Sequence, residues 1–119
     1  ELVPMPKDEY RTPIDVFTLA SALCELAISS SYNGVVHLAG NDRTSRYDMA
    51  IAICNEMGWD KSYITPTIID SLHRAPRPKD VSLDNRKSKE LLKTKFYGLY
   101  DEIIKIKEKI PKESKRFLI

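Results

Sequence analysis

The 119-residue sequence is poor in the residues that most often announce chemistry, and each shortage removes a class of function. It has four glycines, Gly34, Gly40, Gly58 and Gly98. They are too far apart to make the Gly-x-Gly-x-x-Gly turn that cradles a dinucleotide pyrophosphate. No Gly-x-Ser-x-Gly elbow is present, so a hydrolase nucleophile has no strained turn to sit on. The two cysteines (Cys24, Cys54) and two histidines (His37, His73) fall at no Cys-x-x-Cys or His-x-x-x-His spacing, and no metal site is expected. Each cysteine lies in a stretch of helical periodicity and is expected to be a buried free thiol. The longest apolar run, "GVVHLAG", is far too short to span a bilayer, and "ELVPMPKDEY" lacks a leader's basic-then-apolar layout. A soluble, cytoplasmic protein with no membrane partner is the expectation. The first residue is Glu1 and not Met, which reads as a product of processing, of cloning or of excision from a longer chain.

What remains is ordinary for a folded domain. With 42% hydrophobic and 30% charged residues, the chain can bury one core and is not a disordered polymer. Its net charge of +2 is unevenly divided. Residues 86–119 hold eleven Lys/Arg against five Asp/Glu, whereas residues 1–85 hold eight against twelve. A basic C-terminal third could meet an acidic or nucleic-acid partner. Its lysines alternate with Ile103, Ile106 and Ile110 at core spacing without interleaved aromatics, so a solvated helix face is the better reading.

Along the chain, Pro4, Pro6 and Pro13 mark residues 1–13 as an extended segment leading into a domain of residues 14–110, with 111–119 as a basic tail. Asp15 can cap a helix of about a dozen residues with Val16, Leu19, Ala20, Leu23, Cys24 and Ala27 on its buried face. "GVVHLAG" reads as a strand buried on both faces, which would make His37 a packed neutral histidine. Ser45 and Asp48 stand three apart before Met49, Ala50, Ile53, Cys54 and Met57, a helix that Gly58 closes. "ITPTII" and "VSL" are short strand candidates. Asp84 or Asn85 can cap a helix through Leu92, and Leu99 to Lys109 forms the last helix. The carboxylate neighbours Asp8–Glu9 and Asp101–Glu102 read as solvated acids. The order is mixed α/β, helix-rich with few short strands.

The one stretch with chemical character is "RAPRPKDVSLDN", residues 74–85. An arginine's planar fork suits phosphate oxygens, and flanking prolines reduce the entropy lost in holding it. Arg77, between Pro76 and Pro78, fits a diphosphate clamp, although on its residues alone the plain surface arginine weighs more.

Taken together, "YRTPIDVFTLASAL", "GVVHLAGNDRTSRYDMAIAI" and "APRPKDVSLDNRKSKELL" resemble, in order and spacing, the C-terminal part of the extended short-chain dehydrogenase/reductases, and within them the dTDP-4-dehydrorhamnose reductase family. The likeness covers about residues 8 to 105. Its most specific element runs from Arg77-Pro78 through Leu83-Asp84 to Lys87. The resemblance implies the substrate-binding part of a Rossmann-type protein, whose N-terminal domain carries the glycine-rich loop, NAD or NADP, and a catalytic Tyr-x-x-x-Lys. Here none of Tyr10, Tyr32, Tyr47, Tyr63, Tyr97 and Tyr100 has a lysine four residues on. The catalytic tyrosine and cofactor site are therefore expected outside these residues, and this piece alone is expected to be inactive.

The family's diphosphate-binding arginines match Arg11 and Arg77, which become the substrate-binding candidates; the resemblance tips Arg77 towards the site. Arg74 matches no family role and is expected on the surface. "GVVHLAG" would join the edge of the Rossmann sheet, and Ser45 and Asp48 would be helix caps. The expected partners are a nucleotide-sugar, held together with the absent N-terminal domain, and a second copy of the chain through an exposed strand edge. Two alternatives stay open: a non-catalytic relative in the same superfamily, which includes a regulatory subunit of methionine adenosyltransferase, and a free-standing partner-binding domain.

Overall fold

In the computed structural model, which describes residues 1–110, the long helices begin at their capping residues. Strands β1 (Val3–Pro6) and β2 (Tyr10–Arg11) precede helix α1 (Val16–Ser29). Asp15 caps α1, accepting from the Thr18 N–H at 2.8 Å and the Thr18 hydroxyl at 2.5 Å. Strand β3 (Thr44–Ser45) runs directly into helix α2 (Arg46–Met57). Ser45 caps α2 by accepting from the Asp48 N–H at 3.0 Å. Gly58 ends it at φ 71°, where a side chain would be strained. Strand β4 (Ile64–Thr67), helix α3 (Arg86–Leu91) and helix α4 (Leu99–Lys109) complete the described chain. The basic tail expected over 111–119 lies outside the described residues.

The strands pair in two small sheets. β1 lies parallel to β4, with Val3 opposite Ile64 and Pro6 opposite Thr67. β2 lies antiparallel to β3, with Tyr10 opposite Ser45 and Arg11 opposite Thr44. The proline-rich beginning of the chain is thus built into the fold: Pro4 and Pro6 sit in a two-stranded sheet, where a missing N–H is tolerated on the free side.

The apolar centre falls in two parts. Cys54, Ile69 and Ile103 are buried on the side formed by α2, α4 and the turn after β4, with Ile53, Met57 and Ile106 around a small apolar cavity. On the other side Ala22, Leu92 and Phe96 form a cluster with Ile14, Leu26 and Leu38 packed against it. The α4 lysines serve the fold. Lys105 donates to Thr18 at 3.0 Å, Lys107 to the Glu56 carbonyl at 2.8 Å, and Lys109 lies over the Phe17 ring.

Three sequence expectations fail on the α1 side. The helix buries Thr18 and Ala22, not the apolar stripe; Val16 and Leu23 are 64% and 52% exposed. Cys24, expected to be buried, is exposed with that stripe, whereas Cys54 is buried as expected and both thiols are free. "GVVHLAG" makes no ladder, Val35 is exposed, and His37 is solvent-facing and not packed. A strand needs a run of a neighbour's N–H and C=O groups in register, and among the described residues Gly40 alone is met, its N–H donating to the Thr12 carbonyl at 3.4 Å. Side chains hold it instead: Ser88 donates to the His37 carbonyl, and Asn85 to the Ala39 carbonyl at 3.0 Å. Asn85 is therefore at the N-cap position of α3 but caps nothing, and Asp84 takes the Arg86 N–H at 2.9 Å. "VSL" is likewise no strand; the chain there makes one bridge, Asp80 to Tyr10.

Candidate functional site

The site grows from a buried charge. Glu9, in the bend between β1 and β2, is fully buried, contrary to its reading as a solvated acid. A carboxylate out of water must be paired. Its Oε1 accepts from Arg11 Nη2 at 2.9 Å, and its Oε2 forms an ion pair with Arg74 Nη2. Arg11 also donates through Nη1 to the Tyr10 carbonyl at 2.7 Å. Arg74, expected on the surface, is only 27% exposed along its side chain. Nothing near it in sequence reveals this, because its counter-ion lies 65 positions earlier.

Local structure aims Arg74 at that glutamate. Asp8 takes the Ile69 N–H at 2.8 Å and starts a tight turn over Ile69–Leu72. His73 then adopts φ 46°, ψ 41°, a left-handed conformation that costs a non-glycine residue roughly 1 kcal/mol. The chain reverses there, and Arg74 returns towards β2.

The far end of the loop is fastened to the same strand. The Tyr10 N–H donates to the Lys79 carbonyl at 2.6 Å, and the Leu83 N–H to the Thr12 hydroxyl at 3.0 Å. Arg43 lies 3.7 Å from the Tyr10 ring centroid and donates to Asp80 Oδ2 through Nε at 3.0 Å and Nη2 at 2.8 Å. Hydrogen bonds from Ser82, then from Arg43, hold the Asp80 carboxyl well below the usual carboxylate range. Arg77 lies between these anchors, solvent-exposed and flanked by Pro76 and Pro78.

Beside the loop is a pocket of about 210 Å³, whose wall includes Asp70, His73, Arg74, Pro76 and Arg77. Of the two arginines carried over from the family motif, Arg77 lines this pocket. Arg11 does not; it reaches the pocket through Glu9 and Arg74. On the other side of residues 79–83 is a shallower cleft of about 350 Å³, with Thr12, Asn41, Arg43, Ser82 and Asp84 among its walls. At the second cleft the Ser82 hydroxyl donates to Asp80 Oδ1 at 2.6 Å. The guanidinium groups, hydroxyls and amides of the two hollows can bind an anion and hydroxyl groups.

The four glycines are used by the fold and do not form a glycine-rich turn. A side-chain carbon on Gly40 would lie 2.0 Å from the Pro13 carbonyl oxygen and 2.7 Å from Glu102, so that glycine is packed against its own chain. Gly98 faces Asp42, Gly34 faces Tyr32, and Gly58 is the α2 cap. None opens onto a phosphate cradle. Among the described residues, no group of three or more His, Cys, Asp or Glu could hold a metal ion, and no helix is long and apolar enough to cross a membrane.

The described residues form a mixed α/β fold with few short strands and an arginine-proline loop tied back on the first strands. Residues 1–105 match the family model for the RmlD substrate binding domain, and the chain belongs to that family. Among solved structures it resembles the dTDP-4-dehydrorhamnose reductase of Bacillus anthracis in complex with NADP, at TM-score 0.82 and 16% identity, over 92% of this chain and 39% of that one. The reductase of Clostridium acetobutylicum gives 0.75 and 24%, over 89% and 39%. Among curated proteins it is 31% identical over 87 residues to methionine adenosyltransferase 2 subunit beta of Rattus norvegicus, covering 70% of this chain and 26% of that protein. The chain thus spans about a quarter of the curated relatives' length.

Proposed function

We propose that this chain is the substrate-binding part of an NAD(P)-dependent nucleotide-sugar reductase of the dTDP-4-dehydrorhamnose type, and that its role is to hold the diphosphate of the nucleotide-sugar. The observation that carries this reading is Arg77 on a proline-stiffened loop beside a pocket, in a chain of the RmlD substrate-binding family. Two adjacent phosphates present negative charge in a fixed geometry, and an arginine held in place meets them with little further loss of freedom. Arg11 supports the loop from behind through Glu9 and Arg74. In this reading the chain's residues bind and orient, and hydride transfer from the nicotinamide belongs to a part of the protein outside them. The open stripe of α1 and the unpaired 34–40 segment are the surfaces such a part would cover.

The test is calorimetric titration of the chain with thymidine diphosphate. Arg77→Ala should weaken binding about tenfold or more, a loss of about 1.4 kcal/mol. A wild-type chain that binds thymidine diphosphate no better than thymidine would overturn the reading.

The 31% identity to methionine adenosyltransferase 2 subunit beta favours a second reading, in which the chain belongs to a non-catalytic subunit that assembles with a methionine adenosyltransferase. Co-elution of the chain with the catalytic subunit of that enzyme in size-exclusion chromatography would support it.

A further inference from the structure

The fold uses only part of the Arg74 guanidinium. Of the five N–H donors on its guanidinium, one nitrogen is engaged by Glu9, and Nε is buried with no acceptor at all. A buried donor left unmatched is costly and calls for a partner. Arg11 balances the charge of Glu9 from the other side, so the three-residue cluster carries one net positive charge. Arg74 and Arg77 line the same pocket, three residues apart, with Pro76 limiting the backbone between them. At about 210 Å³ this pocket is smaller than the roughly 300–1,000 Å³ that encloses a drug-sized ligand, and it suits a compact anion better than a whole nucleotide.

We propose that Arg74 is the second guanidinium of the diphosphate site, gripping one phosphate while Arg77 grips the other, and that Glu9 is the positioning residue that fixes the Arg74 fork. This inference rests on the diphosphate reading above and replaces the pairing of Arg77 with Arg11 by a pairing within one loop. Glu9 holds one nitrogen of the guanidinium, as a buried carboxylate can when both its oxygens are occupied, and the Arg74 side chain lines the pocket. Asp70, on the same wall, is the carboxylate that opposes an anion there.

The experiment is calorimetric titration of the full chain with inorganic pyrophosphate. Arg74→Ala should weaken binding about tenfold or more, and methylguanidinium at tens of millimolar should restore part of the loss without raising the variant's Tm, as a merely structural rescue would. Asp70→Asn should tighten binding by about two- to threefold, since it removes an opposing charge at an exposed position. Glu9→Gln should weaken binding with the Arg74 side chain intact. Because that buried site could fail to fold when changed, Arg74→Lys serves beside it; a lysine keeps the charge, loses the fork, and should still bind about fivefold more weakly. If Arg74→Ala and Arg74→Lys bind pyrophosphate like the wild type while Arg77→Ala does not, the Arg74 inference falls and the diphosphate reading stands. If the wild type itself fails to bind pyrophosphate, both fall.

Discussion

The two sides of this molecule treat their apolar residues in opposite ways. On the α2 side the helical pattern faces inward: Cys54 is buried, Met49, Ala50, Ile53 and Met57 are partly covered, and α4 closes over them with Ile103 and Ile106. On the α1 side an equally regular stripe of Val16, Ala20, Leu23 and Ala27 faces outward, and the extended residues 34–40 run without a ladder partner. Periodicity of 3.6 therefore reports that a face is to be covered; it does not report by what. The Cα radius of gyration, 16.4 Å where a compact domain of this length has about 13 Å, fits a fold that is closed on one side only.

The strongest test of that contrast is at the seam. Gly40 follows the unpaired segment and sits against Pro13 and Glu102, so any Cβ there meets a backbone oxygen at 2.0 Å. Gly40→Ala should cost about 3 kcal/mol or more, measured by urea unfolding, because the obstacle is backbone and not a side chain that can swing away. A loss below about 1 kcal/mol would mean that the two sides are less firmly joined than their packing indicates.

Next comes Glu102, in the first turn of α4, which reaches that seam with one oxygen buried and unpartnered. Burial, then the charges of Asp15 and Asp42, push its carboxyl up to about 8, against the pull of Lys105. The folded chain therefore keeps a proton that the unfolded chain releases near 4.5. Stability from this group falls as pH rises from about 4.5 to about 8, at no more than about 1.4 kcal/mol per pH unit. Glu102→Gln cannot ionise and should flatten that decline in urea midpoints taken from pH 5 to 8. Asp15 works in a separate range. Burial raises its carboxyl, but the Thr18 hydrogen bonds and the charge of Lys105 outweigh that and hold it below its ordinary value. Its contribution is present above that value and lost only in acid.

How much of this was legible beforehand follows the same division. Local signals hold at three caps and one helix: Asp15, Ser45 and Gly58 cap helices as their residue types suggest, and α4 runs from Leu99 to Lys109. The order of the three motif blocks led to the family. Signals that depend on distant parts of the chain were not legible. Glu9 and Glu102 read as solvated because each stands beside another acid, yet both are buried, one by two arginines and one under Gly40. Arg74 reads as a surface residue because it matches no family role, and its partner Glu9 is far away in sequence. Asn85 reads as a helix cap and Ser88 as a residue of the helix that follows, although their side chains hold the carbonyls of Ala39 and His37. In each case a polar side chain is placed by a contact whose other half has no local signature.

The smallest expected effect gives the comparison its sharpest edge. Leu23 lies in the middle of the α1 stripe and is 52% exposed. Had the stripe been buried within this chain, removing a leucine there would open a cavity and cost about 2–5 kcal/mol. With water already on that face, Leu23→Ser gives up only part of a side chain's transfer energy and leaves no void, so unfolding of the chain should change by no more than about 0.5–1 kcal/mol. The same substitution makes the exposed face less adhesive, and sedimentation should show less self-association at high concentration. A loss of 2 kcal/mol or more in the monomer would place the stripe inside this fold and erase the distinction between its two sides.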